Sequence, residues 1–274
     1  MLKEIFCEFM GVGGFKRSPE GAYSWQHLTF VSALMFLMVL LAFLLGKKNR
    51  YASQKKKNSV ISISAILIVF VELTKIVFNC WEAGSISNIR SNLPLFLCSI
   101  QLIAIPLAAA TKGRLKEAAL DFVFVFGLLG AVLGTFGAAQ NYGTYPVLSF
   151  INVNSGITHS ISGFCSLYIV ISGMASMKKK NMWITMSTMF AFAIAAFVVN
   201  KVNYPDGYQS NYMFLSQGDG TPYDIFYNLV NGNKVLYPLI VVGLFVGYIV
   251  VFYAIFNAIA NKKNKSPQKE IYNV

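Results

Sequence analysis

Seven long apolar stretches divide this 274-residue chain, and no other feature restricts its fold as strongly. Each stretch is close to the ~20 residues that cross ~30 Å of hydrocarbon as an α-helix. Local adjustment of the bilayer accommodates those that are slightly short. We therefore predict an all-α, polytopic membrane protein with seven transmembrane helices. The stretches are Leu28–Leu45, Val60–Phe78, Leu93–Ala110, Ala119–Phe136, Gly156–Met174, Trp183–Val199 and Val235–Ala258.

The basic residues fall almost entirely into alternate gaps between these stretches. Of the 23 Lys and Arg residues, sixteen lie in three of the gaps and in the C-terminal tail, and only six lie on the opposite side. Cytoplasmic loops of membrane proteins carry the excess of Lys and Arg, which predicts an outside N-terminus and a cytoplasmic C-terminus. The sixteen are Lys47, Lys48, Arg50, Lys55, Lys56, Lys57, Lys112, Arg114, Lys116, Lys178, Lys179, Lys180, Lys262, Lys263, Lys265 and Lys269.

The same partition predicts the organisation of the chain. Residues 1–26 are expected to form a short extracytoplasmic tail, 27–260 the transmembrane domain, and 261–274 a basic cytoplasmic tail. The first helix is expected to act as an uncleaved signal anchor that places the protein in the cell membrane. The net charge of +12 is explained by topology and attraction to anionic lipid, so no nucleic-acid partner is predicted.

Two pairs of glycines lie four residues apart within apolar stretches. Gly130 and Gly134 belong to the fourth stretch, and Gly243 and Gly247 to the seventh. Small residues at this spacing allow helix backbones to approach closely in lipid. Both pairs are therefore interpreted as helix-packing motifs.

Polar residues inside the membrane are costly and usually line a functional cavity. Glu72 and Lys75 are three apart in the second stretch, as are Cys98 and Gln101 in the third, and His159 lies near the start of the fifth. At ~1.5 Å per residue, the five lie within ~6–12 Å of the outer ends of their helices. We therefore predict that they line one crevice open towards the outer leaflet.

A thiol and an imidazole at one depth indicate nucleophilic chemistry. A nearby imidazole can remove the thiol proton, which makes sulfur a strong nucleophile. His159 matches the depth of Cys98, whereas Cys165 lies ~9 Å deeper than His159. Two histidines and no zinc spacing exclude a many-histidine metal centre. The alternative is an inert buried thiol and a hydrogen-bonded histidine, with Glu72 and Lys75 merely neutralising one another.

At these residues the chain resembles a known family. The string Leu93–Cys98, His159 at the head of a later helix, and Asn211–Leu215 in the last outer loop resemble the YwaF family of bacterial membrane proteins. That family is related to the animal transmembrane protein 164 acyltransferases. The similarity covers roughly residues 25 to 260, and the string Asn-Tyr-Met-Phe-Leu is its most specific part.

The resemblance implies an activity and its residues. Animal relatives are taken to move a fatty acyl chain between glycerophospholipids through a thioester, which implies Cys98 as nucleophile and His159 as base. Phospholipids or lysophospholipids are the implied partners, without a cofactor. Bacterial members commonly carry a histidine where this chain has Phe96, two residues before the cysteine. The expected substrate-binding residues are Glu72, Lys75, Gln101, Asn211 and Tyr212.

Two other classes stay open on the sequence alone. A transporter or flippase would use Glu72 and Lys75 as a coupling pair, although no inverted repeat is visible. A sensor would share the seven-helix plan, but the seventh stretch lacks the lysine of a retinal protein. The uncharged segment Gly137–Asn154 is interpreted as an interfacial loop, with a lid over the site as the alternative.

The predicted topology is tested with accessibility reporters. A cysteine introduced between Asp219 and Asp224 should react with a membrane-impermeant thiol reagent added outside intact cells, because that loop is predicted to be external. A reporter fused after Val274 should be active only in the cytoplasm. External activity of the C-terminal fusion would overturn the orientation.

Overall fold

The computed structural model describes residues 2–10, 17–202 and 207–265, and within them the chain is helical with no β-strand. The all-α prediction is confirmed. Two short 3₁₀ segments, Ile86–Asn92 and Tyr212–Phe214, accompany the α-helices. The α-helices are α1 (Leu2–Met10), α2 (Trp25–Asn49), α3 (Gln54–Glu82), α4 (Gln101–Ala110), α5 (Gly113–Leu133), α6 (Ala139–Thr144), α7 (Phe150–Ile171), α8 (Lys179–Val199), α9 (Asp224–Leu229) and α10 (Leu236–Lys265).

The chain divides into two compact units, Met1–Ala175 and Ser176–Val274. The first contains α1 to α7 and the second α8 to α10. Glu72, Lys75, Cys98, Gln101 and His159 all belong to the first unit, whereas Asn211 and Tyr212 belong to the second.

Helix α5 is the centre of the first unit. Every residue from Ala118 to Gly127 is buried, and a helix buried on all sides lies inside a bundle rather than on its surface. Helices α4 and α7 pack against α5, while α7 also packs against α2 and α3. The Ser166 hydroxyl on α7 donates a hydrogen bond of 2.8 Å to the Phe124 carbonyl on α5. These contacts fix the rotation of α7 about its axis relative to α5.

Four helices have the length and apolar composition of a membrane span: α2, α3, α8 and α10 up to Lys262. Helices α5 and α7, with 21 and 22 residues, reach ~30 Å by length. Their polar residues, such as the fully buried Asp121 of α5, set them apart in composition. The count of seven spans and their orientation therefore stay predictions.

The third apolar stretch is not a continuous helix. It becomes α-helical only at Gln101, and α4 is 10 residues long, or about 15 Å. Leu93 is extended, with φ −64° and ψ 141°, as a residue before proline prefers. The prediction of a helix from Leu93 was wrong for the residues before Gln101, and Cys98 lies in the turn before α4.

The fifth helix begins six residues before the predicted Gly156, because Ser149 caps α7. Its hydroxyl accepts a hydrogen bond of 3.3 Å from the Asn152 N–H, a frequent signal for a helix start. The Asn152 side chain in turn donates to the carbonyls of Tyr145 and Pro146, at 3.1 and 2.9 Å. Much of the predicted loop Gly137–Asn154 is therefore helical.

The segment before α7 is tied to α2 through His27. The Tyr23 N–H donates to His27 Nδ1 at 3.0 Å, which leaves Nε2 to donate to the Thr135 carbonyl at 3.1 Å. The ring of Tyr142 stacks on His27 with centroids 3.8 Å apart. Burial raises the pKa of Tyr142 to about 12, so the phenol stays neutral at physiological pH. This buried cluster disfavours the lid interpretation of the segment.

The second unit is built on the packing of α8 against α10. The hydroxyls of Thr185 and Tyr253 lie 3.2 Å apart and are buried between the two helices. Lys16 and the terminal Lys269, which entered the charge partition, lie outside the described residues. The proposed limits of the terminal tails stay predictions.

Gly127 offers a test of the packing of α5 against α7. A Cβ at this position would lie 2.6 Å from the main-chain oxygen of Ser162, so Gly127→Ala must move α7. We expect the substitution to lower the free energy of unfolding by about 1–3 kcal/mol. Gly143→Ala is the control, because its Cβ would meet nothing within 4 Å. Thermal unfolding in detergent measures both, and equal stability of the two variants would contradict the packing.

Candidate functional site

Cys98 is a free, half-buried thiol in the turn that leads into α4. The Ile100 N–H donates to the Phe96 carbonyl at 3.1 Å, and the Gln101 N–H to the Cys98 carbonyl at 3.3 Å. The Ser99 hydroxyl and the N–H groups of Cys98 and Ser99 adjoin the sulfur. Such N–H and O–H groups are donors that can stabilise a thiolate.

His159 is the tenth residue of α7 and is also half-buried. Its imidazole lies beside the main chain of Gly130 on α5. A neutral imidazole has one donor and one acceptor nitrogen, and the acceptor nitrogen can take up a proton as a general base does.

Helix α5 brings the two residues together through its glycine pair. A Cβ on Gly130 would lie 3.3 Å from the Cβ of Cys98, and one on Gly134 would lie 2.0–2.3 Å from three ring atoms of His159. The two glycines are one helical turn apart, about 6 Å along the axis. The thiol and the imidazole therefore rest on one face of α5.

The function of the glycine pair differs from the sequence interpretation. Gly130 and Gly134 give space to two candidate site residues, in addition to allowing α5 to pack closely. By contrast, a Cβ on Gly243 or Gly247 would meet no described atom within 4 Å. The four-residue spacing is the same in both glycine pairs, so the sequence could not show which pair lies against candidate site residues and which lies on an open helix face.

Glu72 and Lys75 form an ion pair on α3, with Lys75 Nζ 2.7 Å from Glu72 Oε1. The carboxylate is buried and the ammonium half-buried. Lys75 also acts electrostatically on both Cys98 and His159. The structure thus brings Glu72, Lys75, Cys98 and His159 into one neighbourhood, and a crevice open towards the outer leaflet stays a prediction.

Gln101, the first residue of α4, is fully buried. Within the described part of the chain, neither Nε2 nor Oε1 of its amide has a hydrogen-bond partner. Thr158, next to His159, likewise has a buried hydroxyl oxygen without a partner among the described residues. Leaving such groups unpaired costs ~1–3 kcal/mol each, and they are candidates to bind a polar ligand.

Asn211 and Tyr212 have clear partners within the second unit. The Asn211 side chain accepts from the Ser216 N–H and donates to the Gln217 carbonyl, both at 3.0 Å. The Tyr212 N–H donates to Asn200 Oδ1 at 2.8 Å, and its ring is buried. These contacts explain the two residues as the fold of the loop after α8, and their role in substrate binding stays a prediction.

Three residues near the site had not been predicted from the sequence. Ser99 and Thr158 adjoin the two candidate catalytic residues, and Gly134 lies against the imidazole. Adjacency to Cys98 and His159 was the available signal for the first two. Only the observed contact of α5 with α7 assigns Gly134 to His159.

The other thiols are less suited to nucleophilic attack. Cys165 is fully buried, while Cys7 and Cys80 are free thiols rather than a disulfide. In the described ranges, no three His, Cys, Asp or Glu side chains lie close enough to hold a metal ion.

Comparison with known proteins gives one match. The chain matches the family model described as the TMEM164 family over residues 22–260. No curated protein and no solved structure matches the chain.

Gly134→Ala tests the contact beneath the imidazole. We expect the new methyl group to displace His159, because it would lie 2.0–2.3 Å from the ring. The chain has only two histidines, so NMR of ring-labelled histidine should show the His159 signals shifted. Gly243→Ala, with no described atom within 4 Å, should leave the spectrum unchanged. Identical spectra for both variants would show that His159 does not rest on Gly134.

Proposed function

We propose, from the premise that the chain belongs to the TMEM164 family, that this membrane protein transfers an acyl chain between glycerophospholipids. Cys98 is the nucleophile and His159 the general base. The observation that carries the proposal is the shared face of α5, where Gly130 lies against Cys98 and Gly134 lies against the imidazole of His159.

The first half of the reaction forms an acyl enzyme. His159 accepts the proton of the Cys98 thiol, and the thiolate attacks the ester carbonyl carbon of a phospholipid. A sulfur–carbon bond forms and the ester carbon–oxygen bond breaks. The lysophospholipid leaves with the proton returned by His159, so that atoms and charge balance.

The second half transfers the acyl chain to an acceptor. A lysophospholipid hydroxyl gives its proton to His159 and attacks the carbonyl carbon of the thioester. A new carbon–oxygen bond forms, the carbon–sulfur bond breaks, and the thiolate regains the proton from His159. With water as the acceptor, the same steps release a fatty acid.

Lys75 and Gln101 are the proposed groups that stabilise charge during both steps. Apolar surroundings disfavour a thiolate. The positive charge of Lys75 near Cys98, together with the donors that adjoin the sulfur, opposes that effect. Gln101 supports the proposal through its buried, unpartnered amide, whose N–H groups would bind an oxyanion.

The Phe96 position bears on how the thiol is activated. A phenyl ring cannot accept a proton, so in this proposal His159 alone removes the proton of the Cys98 thiol. Asn211 and Tyr212 are proposed to contact the lipid. The proposed location of the protein is the cell membrane.

The Glu72–Lys75 pair keeps a transport function as the second candidate, because buried ion pairs mark ion and substrate pathways in membrane proteins. The two functions differ in their dependence on Cys98. Lipid scrambling in vesicles that depends on Glu72 and Lys75 but persists in Cys98→Ala would favour transport over acyl transfer.

Acyl exchange tests the proposal directly. Purified protein in vesicles should move a labelled acyl chain from a phospholipid to a lysophospholipid and carry an acyl adduct on Cys98 in mass spectrometry. Cys98→Ala should abolish transfer. His159→Ala should slow it by about 10²–10⁴-fold, the usual contribution of a general base.

Cys165→Ala is the matched control, because it removes a buried thiol of the same chain that does not contact α5 glycines among the described contacts. It should retain transfer within about twofold of wild type, since the site is left intact. Thermal unfolding of each variant separates loss of chemistry from loss of fold. Exchange that survives Cys98→Ala would refute the mechanism.

A further inference from the structure

A second candidate site lies in the second unit and is lined by none of the residues assigned to the proposed reaction. A cavity of about 300 Å³ opens between α8 and α10, which we call the α8–α10 groove. Its walls are apolar apart from one lysine. The lining residues include Phe190, Ile194 and Phe197 of α8, Leu239 and Val242 of α10, and Lys234 before α10.

The spacing of the wall residues gives the groove its shape. Phe190, Ile194 and Phe197 lie at positions i, i+4 and i+7, and so project from one face of α8. Lys234 and Val242 mark the ends of the groove along the α10 side. On α8 the wall runs over eight residues, or ~10 Å, which is less than one leaflet of a ~30 Å hydrocarbon core. The groove is thus a short slot along the helix axes.

The wall residues are accessible rather than sealed in a core. Ile194 is 64% exposed and Leu239 63% exposed, although both line the cavity. A cavity near 300 Å³ is at the small end of the ~300–1,000 Å³ of ligand pockets. It therefore has room for a single slender apolar group such as one acyl chain, with the rest of the lipid outside.

Lys234 supplies the polar end of the groove. Its side chain is exposed, and within the described residues it makes no ion pair or hydrogen bond. The first N–H groups at the start of α10, on Val235 and Leu236, are already bound by Asn233 Oδ1 at 3.0 Å each. The ammonium is therefore the group at this end that is available to an anion.

We propose that the α8–α10 groove binds one acyl chain of a glycerophospholipid, with the lipid phosphate on Lys234. The apolar walls run along the helix axes and are shorter than the thickness of one leaflet. They therefore match part of an acyl chain that lies parallel to the other acyl chains of the leaflet. A cation next to the first turn of α10 matches a phosphate at the end of that chain. The site needs neither Cys98 nor acyl transfer, so it stands independently of the proposed reaction.

Photo-crosslinking of the full-length protein in vesicles tests this site. The probe is a phosphatidylglycerol with a diazirine midway along one chain, and a diacylglycerol with the same chain is its uncharged counterpart. Mass spectrometry should locate the phospholipid adduct on residues 190–197 or 234–242. Ile194→Trp, which fills the slot, should reduce that adduct by at least tenfold.

The charge is tested separately. Lys234→Gln should reduce the phosphatidylglycerol adduct about fivefold, the effect of one lysine near anionic lipid, and leave the diacylglycerol adduct unchanged. Val251→Trp, on an exposed part of α10 that does not line the groove, is the matched control and should label like wild type. Thermal unfolding confirms that each variant is folded.

Several results would overturn the site. They are adducts spread over all lipid-facing helices, labelling unaffected by Ile194→Trp, or equal loss of both probes in Lys234→Gln. A dimer that Ile194→Trp dissociates would instead identify a second copy of the chain as the occupant. Cys98→Ala should label normally, so a failed acyl-transfer assay and a failed groove assay remain distinguishable.

Discussion

The close approach of α5 to its neighbours is the constraint on which the rest of the first unit depends. Gly127 lies against the main chain of α7, Gly130 against Cys98, and Gly134 against His159. In lipid, helix association relies on such packing because the hydrophobic effect offers little between helices. The same face of α5 therefore supports both the bundle and the candidate site, and removing its small residues would disturb the two together.

Much of the fold follows from the sequence in physical terms. Helices dominate because backbone groups in hydrocarbon must be satisfied within the segment. The Glu72–Lys75 contact could be predicted because residues three apart on one α-helix are neighbours on its surface. The cap of α7 at Ser149 could also have been predicted, because Ser is among the residues most favoured at a helix N-cap.

The candidate site was only partly predictable. A shared depth placed Cys98 near His159, but that argument assumed a helix from Leu93 onwards, and the turn before α4 replaces it. Rotation of each helix about its axis depends on partners distant in sequence, so the contact of Gly134 with the imidazole required the structure. Asn211 belongs to the most specific sequence motif, yet its side chain bonds the main chain of Ser216 and Gln217 and so stabilises the loop.

The short helix α4 has a consequence for how the protein is made. The stretch that contains it is apolar enough to enter a bilayer, but ten helical residues close only part of its backbone hydrogen bonds. Helix α4 packs between α3 and α5, and Cys98 of the irregular part lies against Gly130 of α5. Biogenesis of this segment is therefore expected to be cooperative, with its insertion completed only when both neighbours are in the membrane.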